Sequence, residues 1–92
     1  MKILFYASFR SIVGQKEYHP GFTEPVTIKQ CIESVVGRFP QLKQHWLDQK
    51  GELLPHVHVS LNRVDVDLLE IGYDTLVHPG DELDFFPPIQ GG

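Results

Sequence analysis

One amphipathic helix limits the possible folds of this chain more than any other segment. Thr27 followed three residues later by Gln30 is a capping box, in which each side chain satisfies a backbone donor at a helix start. Apolar residues then recur at helical spacing and form one stripe, which we expect to pack on a sheet: Ile28, Cys31, Ile32, Val35, Val36 and Phe39. Pro40 disfavours helix at Phe39, and residues 42–47 suggest a second, short helix.

Strand patterns lie on both sides of this helix. Residues 3–7 are nearly all apolar, which is typical of a central strand covered on both faces. Residues 8–13 fit one helical turn ended by Gly14, and residues 16–22 look like a second strand weakened by Pro20-Gly21.

The C-terminal half predicts a hairpin and a last strand. Residues 57–61 and 64–67 alternate with period two around a tight turn at Asn62-Arg63, so the hairpin should bury one face. Pro79-Gly80 suits the centre of a type II turn before a strand that ends near Phe86. This order of elements predicts an α+β fold, one sheet with its helices on one side.

Composition excludes several classes of protein. A chain of 92 residues has room for one domain, and its net charge of -4 without clustered basic residues argues against DNA, RNA and anionic membranes as partners. Cys31 is the only cysteine, so an intramolecular disulfide is excluded. The apolar run after Lys2 is too short for a signal peptide or a membrane span, and we therefore expect a cytoplasmic protein.

The C-terminal segment suggests the chemistry. Pro87-Pro88 lacks the N–H groups that a ladder needs, so the tail should leave the sheet, and Gly91-Gly92 gives it a thin tip that suits a narrow active site. A carboxylate is a poor electrophile until an enzyme converts it to a mixed anhydride such as an acyl adenylate. The Gly92 carbonyl then accepts either sulfur or a lysine amine. A terminal glycine pair also arises by chance, so the pair alone leaves an incidental tail equally open.

The chain resembles the small subunit of molybdopterin synthase over nearly its whole length. The resemblance rests on the opening KILFYASFRSIVG, the capped helix, the hairpin VHVSLNRVDV and above all the ending HPGDELDFFPPIQGG. It implies the ubiquitin-like β-grasp fold, a mixed sheet packed against one main helix over residues 1–86, with a flexible tail over residues 87–92.

The same resemblance implies the functional residues and partners. Gly92 would be the residue that is adenylated and converted to a thiocarboxylate, and Gly91 its slim neighbour. The segment held by partners would comprise Phe86, Pro87, Pro88, Ile89 and Gln90. The partners implied are a ubiquitin-activating-like adenylyltransferase that uses ATP, a sulfur-donating enzyme and a molybdopterin synthase large subunit. The chain itself would bind no cofactor or metal and would catalyse nothing alone.

Other readings stay open. Sulfur carriers of thiazole synthesis also end in two glycines but usually lack the Phe-Pro-Pro element, whereas archaeal ubiquitin-like modifiers share both features. A carrier for tRNA thiolation and a plain interaction domain are further alternatives. Two departures from the family are extra residues at 44–55, which leave the pathway and partner open, and Asn62-Arg63 in place of the usual Asn-Gly turn.

The remaining candidates have ordinary structural explanations. His56 and His58 share a strand face without a convincing third metal ligand, so a solvated face is favoured. Cys31 lies on the apolar stripe and should be a buried packing residue rather than a nucleophile. Trp46 is expected in the core more than in a docking surface.

The last strand carries two further features. Phe85 and Phe86 should point to opposite faces, one into the core and one toward the tail. An acidic group precedes the tail, and its residues either steer a basic partner or keep an edge strand soluble: Asp81, Glu82 and Asp84.

Overall fold

The computed structural model describes residues 1–88. The strands are β1 Lys2–Phe5, β2 Glu17–Tyr18, β3 Val26–Thr27, β4 His58–Leu61, β5 Val64–Asp65, β6 Leu76–Val77 and β7 Glu82–Phe86. The α-helices are α1 Ala7–Val13, α2 Ile28–Arg38 and α3 Lys43–Trp46, and short 3₁₀ helices cover Pro40–Leu42, Val66–Leu68 and Gly72–Asp74. None of the helices in this part of the chain is both long and apolar enough to span a bilayer.

Five of the strands form one mixed sheet in the order β2-β1-β7-β4-β5. β1 and β7 run parallel, with Ile3 opposite Leu83 and Phe5 opposite Phe85, while the other pairs in this sheet are antiparallel. Because strand side chains alternate between faces, these residues point together into the core. The opposite side, here called the open face, carries Leu4, Asp84 and Ser60, which lie side by side on β1, β7 and β4. The predicted α+β fold is confirmed.

Helix α2 forms as its sequence predicts. The Thr27 backbone N–H donates to Oε1 of Gln30 at 2.8 Å, and the Gln30 N–H donates to Oγ1 of Thr27 at 3.1 Å, which completes the capping box. All six residues of the predicted stripe are buried. The helix therefore covers the core face of the sheet, and Pro40 begins a separate 3₁₀ turn.

An aromatic cluster fills the centre of the core. Trp46 is fully buried and stacks on Phe85 with ring centroids 4.4 Å apart, and Phe9 meets the indole edge-on at 5.4 Å. Aromatic pairs at such distances contribute about 0.5–1.5 kcal/mol each beyond the area that they bury. Trp46 is a core residue, as expected, and it fixes the position of β7 from the helix side.

The first half of the chain requires two corrections. β1 is an interior strand but not the central one, and its Leu4 is only half-buried because no helix or second sheet of the described part of the chain covers the open face. β7 takes the central place because β1 pairs with it from one side and β4 from the other. The predicted strand at residues 16–22 shrinks to Glu17–Tyr18, since Pro20 lacks a ladder N–H.

The second half also departs from expectation. The His78–Asp81 turn closes with a backbone hydrogen bond of 2.9 Å, but the φ of Gly80 is not positive, so the turn is not type II. Both residues of β5 are exposed. The buried side chains of the hairpin region belong to β4 and to Val66 in the following 3₁₀ turn. β3 and β6 pair as a second, two-stranded sheet that the sequence did not indicate.

Candidate functional site at the C-terminal end of the central strand

The predicted site residues follow directly from β7. This strand ends at Phe86, which lies on the open face opposite His58, whereas Phe85 is fully buried on the core face. The prediction that the two phenylalanines face opposite ways is therefore confirmed. Pro87 is half-buried and Pro88 is exposed. The other predicted site residues lie outside the described residues: Ile89, Gln90, Gly91 and Gly92.

Phe86 is held by an aromatic contact that sequence reasoning missed. Its ring stacks on Tyr6 with centroids 4.3 Å apart and planes 16° from parallel. The Arg10 guanidinium lies 6.0 Å from the Tyr6 centroid, and Arg10 Nε donates to the Phe5 carbonyl at 3.2 Å. The one sequence signal for this contact was the spacing of Leu4 and Tyr6, because residues two apart on a strand point to the same face of the sheet.

Backbone contacts complete the support of this strand end. The Tyr6 N–H donates to the Phe85 carbonyl at 3.2 Å, which continues the β1–β7 ladder to the last residues of β7. Partial burial raises the pKa of the Tyr6 hydroxyl, and the nearby Asp84 and Glu82 raise it further. Tyr6 is thus a neutral aromatic side chain that packs against the last residue of β7.

The three acidic residues before the tail have different environments. Asp81 holds the turn: Oδ2 accepts from the His78 N–H at 2.7 Å and Oδ1 from the Asn62 amide at 3.1 Å. Although partial burial opposes ionisation, these hydrogen bonds lower the pKa of Asp81. Glu82 lies 3.8 Å from Lys2 Nζ, a partly exposed pair of small energetic value.

Asp84 is the unexpected member of the group. It is buried, with 4% of its surface exposed, and its Oδ1 has no hydrogen-bond partner among residues 1–88. Burial raises the pKa of this carboxyl to about 6, and the adjacent Glu82 carboxylate adds to the rise. The edge-strand explanation does not apply to Asp84, because β7 is the central strand. The local sequence could not show that the strand carrying Asp84 lies at the centre of the sheet.

The other candidates are resolved within residues 1–88. Cys31 is free and buried, and desolvation raises the pKa of its thiol to about 11, so it is not a reactive thiolate. His56 Nε2 lies 3.2 Å from the His45 carbonyl oxygen, and His58 is exposed. No cluster of three or more His, Cys, Asp or Glu residues in the described range is arranged to hold a metal ion.

Comparison with known proteins decides the family. A sequence profile described as the ThiS family matches residues 3–92. This chain belongs to the ThiS family. A small archaeal modifier protein 3 from Haloferax volcanii is 32% identical over 92 residues, which cover 100% of this chain and 98% of the relative. A molybdopterin synthase sulfur carrier subunit from Aspergillus niger is 29% identical, with 99% and 92% of the two chains covered.

The fold of this ThiS-family protein agrees with a solved structure. The crystal structure of small archaeal modifier protein 1 from Haloferax volcanii superimposes with a TM-score of 0.83 at 27% identity and covers 100% of this chain and 98% of that one. The ubiquitin-like β-grasp fold is confirmed, and so is the resemblance to the sulfur-carrier family. The relatives are small carrier and modifier proteins.

Proposed function

We propose that this ThiS-family protein is a sulfur carrier in molybdopterin biosynthesis, acting as the small subunit of a molybdopterin synthase. The Gly92 carboxylate oxygen bonds to the α-phosphorus of ATP on a ubiquitin-activating-like adenylyltransferase, and pyrophosphate leaves. A sulfur nucleophile at the oxidation level of hydrosulfide, supplied by a sulfur-donating enzyme, then attacks the carbonyl carbon, and AMP leaves. The resulting thiocarboxylate delivers sulfur to the large subunit.

One observation carries this proposal. The central strand of the sheet ends at Phe86, its last residues are fixed from both faces, and the remaining sequence to Gly92 carries two prolines and two glycines. Phe85 is held by Trp46 on the core side, and Phe86 by Tyr6 on the open face. A fixed base followed by a thin end suits delivery of a terminal carboxylate into the active site of another protein.

The remaining assignments follow from this role. Residues 1–86 form the carrier domain and residues 87–92 the reactive tail. Phe86 to Gln90 contact the partner, with Gly91 next to the reacting Gly92. ATP belongs to the activating enzyme, the carrier holds no cofactor of its own, and the chain has no catalytic activity alone. We place these reactions in the cytoplasm.

The decisive measurement is the intact mass of the protein. Incubation with the activating enzyme, ATP and a sulfur donor should add about 16 Da, the difference between sulfur and oxygen, localised to Gly92. Deletion of Gly92 is the matched control, and it should abolish the gain while leaving the unfolding temperature unchanged, because the described core ends before it. A wild-type protein that gains no mass would refute the carrier role.

A second candidate is a ubiquitin-like modifier, and the name of the 32% identical relative favours it. In that case the activated Gly92 carbonyl forms an isopeptide with a lysine amine. Conjugates of higher mass on a denaturing gel, lost on deletion of Gly92, would identify a modifier.

The receiving pathway needs its own test. Loss of molybdoenzyme activity in cells that lack the gene, restored by the wild-type chain but not by the Gly92 deletion, would support the molybdopterin assignment. Restoration by the deleted chain would point to a plain interaction domain. Normal molybdoenzyme activity together with a thiamin requirement or undermodified tRNA would assign the sulfur to another pathway.

A further inference from the structure

A groove runs along helix α2, on the side of the sheet opposite the open face. Ile32 and Val36 of the helix form its floor, the half-buried Leu47 and Leu53 line its far wall, and its volume is about 680 Å³. Concave sites of roughly 300–1,000 Å³ with mainly apolar walls are the ones that proteins use to bind other molecules. The groove is therefore large enough to hold an apolar occupant.

The wall opposite α2 is a loop that is held by its own hydrogen bonds. Leu47 and Leu53 pair as an isolated antiparallel bridge. Between them, Asp48 Oδ1 accepts from the N–H groups of Lys50 and Glu52, at 2.8 and 2.9 Å. These bonds satisfy backbone donors within the loop, so the groove is formed without an occupant. The loop lies within residues 44–55, the extra segment of this chain.

Gly37 forms part of the wall on the α2 side. It lies in the last turn of the helix, without a positive φ, and glycine is less favourable there than alanine. A Cβ at this position would meet no atom of the described residues within 4 Å. Packing inside the chain gives no reason for a glycine here, whereas the close approach of another molecule to the helix does.

Lysine side chains predominate at the rim of the groove. Lys29, Lys43 and Lys50 line it together with Glu33 and Glu52, and all five residues are exposed. The salt bridges found among residues 1–88 include none of them. An occupant that brings carboxylates to the lysines and apolar side chains to the floor would complement this surface.

A surface of that complementary kind lies beside the groove in residues 64–76, here called the acidic segment. It contains all the exposed large hydrophobic side chains found among residues 1–88: Val64, Leu68, Ile71 and Leu76. It has no lysine or arginine, and its charged residues are Asp65, Asp67, Glu70 and Asp74. Tyr73 joins the two surfaces, because it belongs to the segment and lines the groove. Burial raises the pKa of its hydroxyl, and the nearby Asp67 and Asp65 raise it further.

We propose that the groove and the acidic segment form the interface of a homodimer, in which the acidic segment of each copy lies in the groove of the other. Complementary surfaces that are adjacent on one molecule can meet twice across a two-fold axis, so the assembly closes at two copies. Leu68 and Ile71 supply the apolar contacts, and Glu70 between them faces the lysines. The open face and the end of β7 stay uncovered, so the dimer is compatible with the function proposed above and does not rest on it.

Sedimentation equilibrium of the full-length protein tests the proposal, from about 1 μM to about 1 mM at low ionic strength. The mass should rise from 10.5 kDa towards twice that value as the concentration increases. Added NaCl should weaken the dimer, because salt screens exposed charges. A wild type that keeps the monomer mass over the whole range would overturn the proposal.

A charge exchange tests which surfaces meet. Lys43→Glu in the groove and Glu70→Lys in the acidic segment should each raise the dimer Kd roughly 10-fold, because each change occurs twice in a dimer. An equimolar mixture of the two variants should restore the wild-type affinity, since their heterodimer again places opposite charges together. Lys16→Glu, beside β2, is the matched control for net charge and should change the Kd only slightly. A mixture no tighter than its components, or an equal loss in Lys16→Glu, would reject this interface.

A steric variant tests the groove without changing charge. Gly37→Trp places an indole in the groove and should prevent dimerisation, whereas Gly37→Ala adds only a methyl group and should retain it. Wild-type affinity in Gly37→Trp would mean that the copies associate through another surface, which would overturn the proposal.

Discussion

The buried carboxyl of Asp84 makes folding stability depend on pH in an unusual direction. Burial raises its pKa from the ordinary value of 3.8 to about 6 in the folded protein. Between these two values the unfolded chain binds fewer protons than the folded one, so the free energy of unfolding falls as the pH rises. The penalty is absent below about pH 4 and complete above about pH 7. Paired carboxylates behave in the opposite way.

The magnitude follows from the size of the shift. Each pKa unit corresponds to about 1.36 kcal/mol, so a shift from 3.8 to about 6 sets an upper limit of about 3 kcal/mol. Because solvent and neighbouring side chains relax around the ion, we expect about 1–3 kcal/mol. Asp84→Asn cannot titrate. Its stability relative to the wild type should therefore increase by this amount between a pH of about 4 and about 8.

Urea unfolding at a series of pH values measures this difference. Titrating groups that do not interact with Asp84 are common to both proteins and cancel in the comparison, whereas the interaction of Asp84 with the neighbouring Glu82 is part of the measured difference. Asp74→Asn gives the effect of removing one negative charge from elsewhere on the molecule. A difference between Asp84→Asn and the wild type that stays constant over this range would refute the reasoning. A wild type that gains stability over Asp84→Asn as the pH rises would show that the carboxylate has a partner in the fold.

Four further predictions concern single residues. Thr27→Ala removes the capping box and should lower the free energy of unfolding by about 1 kcal/mol, measured in urea. Trp46→Ala removes the largest fully buried side chain and should cost about 3–5 kcal/mol by the same assay. Arg63→Gly replaces a side chain at φ 69° and should raise the unfolding temperature by relieving backbone strain worth about 1 kcal/mol. Cys31 should resist alkylation by iodoacetamide at neutral pH until the protein is unfolded, because the thiol is buried and its pKa is about 11.

A control variant or an opposing outcome accompanies each of these predictions. Thr27→Ser keeps the cap oxygen, so equal losses in both variants would exclude the cap as the cause. Trp46→Phe keeps an aromatic ring and should cost less than the alanine variant. Arg63→Ala keeps a Cβ at positive φ, so a gain equal to that of glycine would point to charge rather than strain. Alkylation of native Cys31 at the rate of a free thiol would contradict its burial.

Local sequence determined the main elements of this protein. The capping box at Thr27, the buried stripe of α2 and the alternation in β4 were all readable because neighbouring residues alone satisfy those patterns. The pairing of Pro-Pro with a terminal Gly-Gly likewise indicated a tail with a reactive end, and this assignment of Gly92 stays a prediction. The family could be named from these same motifs, and the match over residues 3–92 confirms it.

Tertiary structure decided what depends on distant partners. The central place of β7, the second sheet of β3 and β6, and the stack of Tyr6 on Phe86 all join segments far apart in the chain, so no local pattern contains them. Asp84 shows the consequence most clearly. In the sequence it is one of three acids before the tail, and only the pairing of β7 with both β1 and β4 buries it. Burial is a property of what surrounds a residue, and for a strand those surroundings are supplied by other strands.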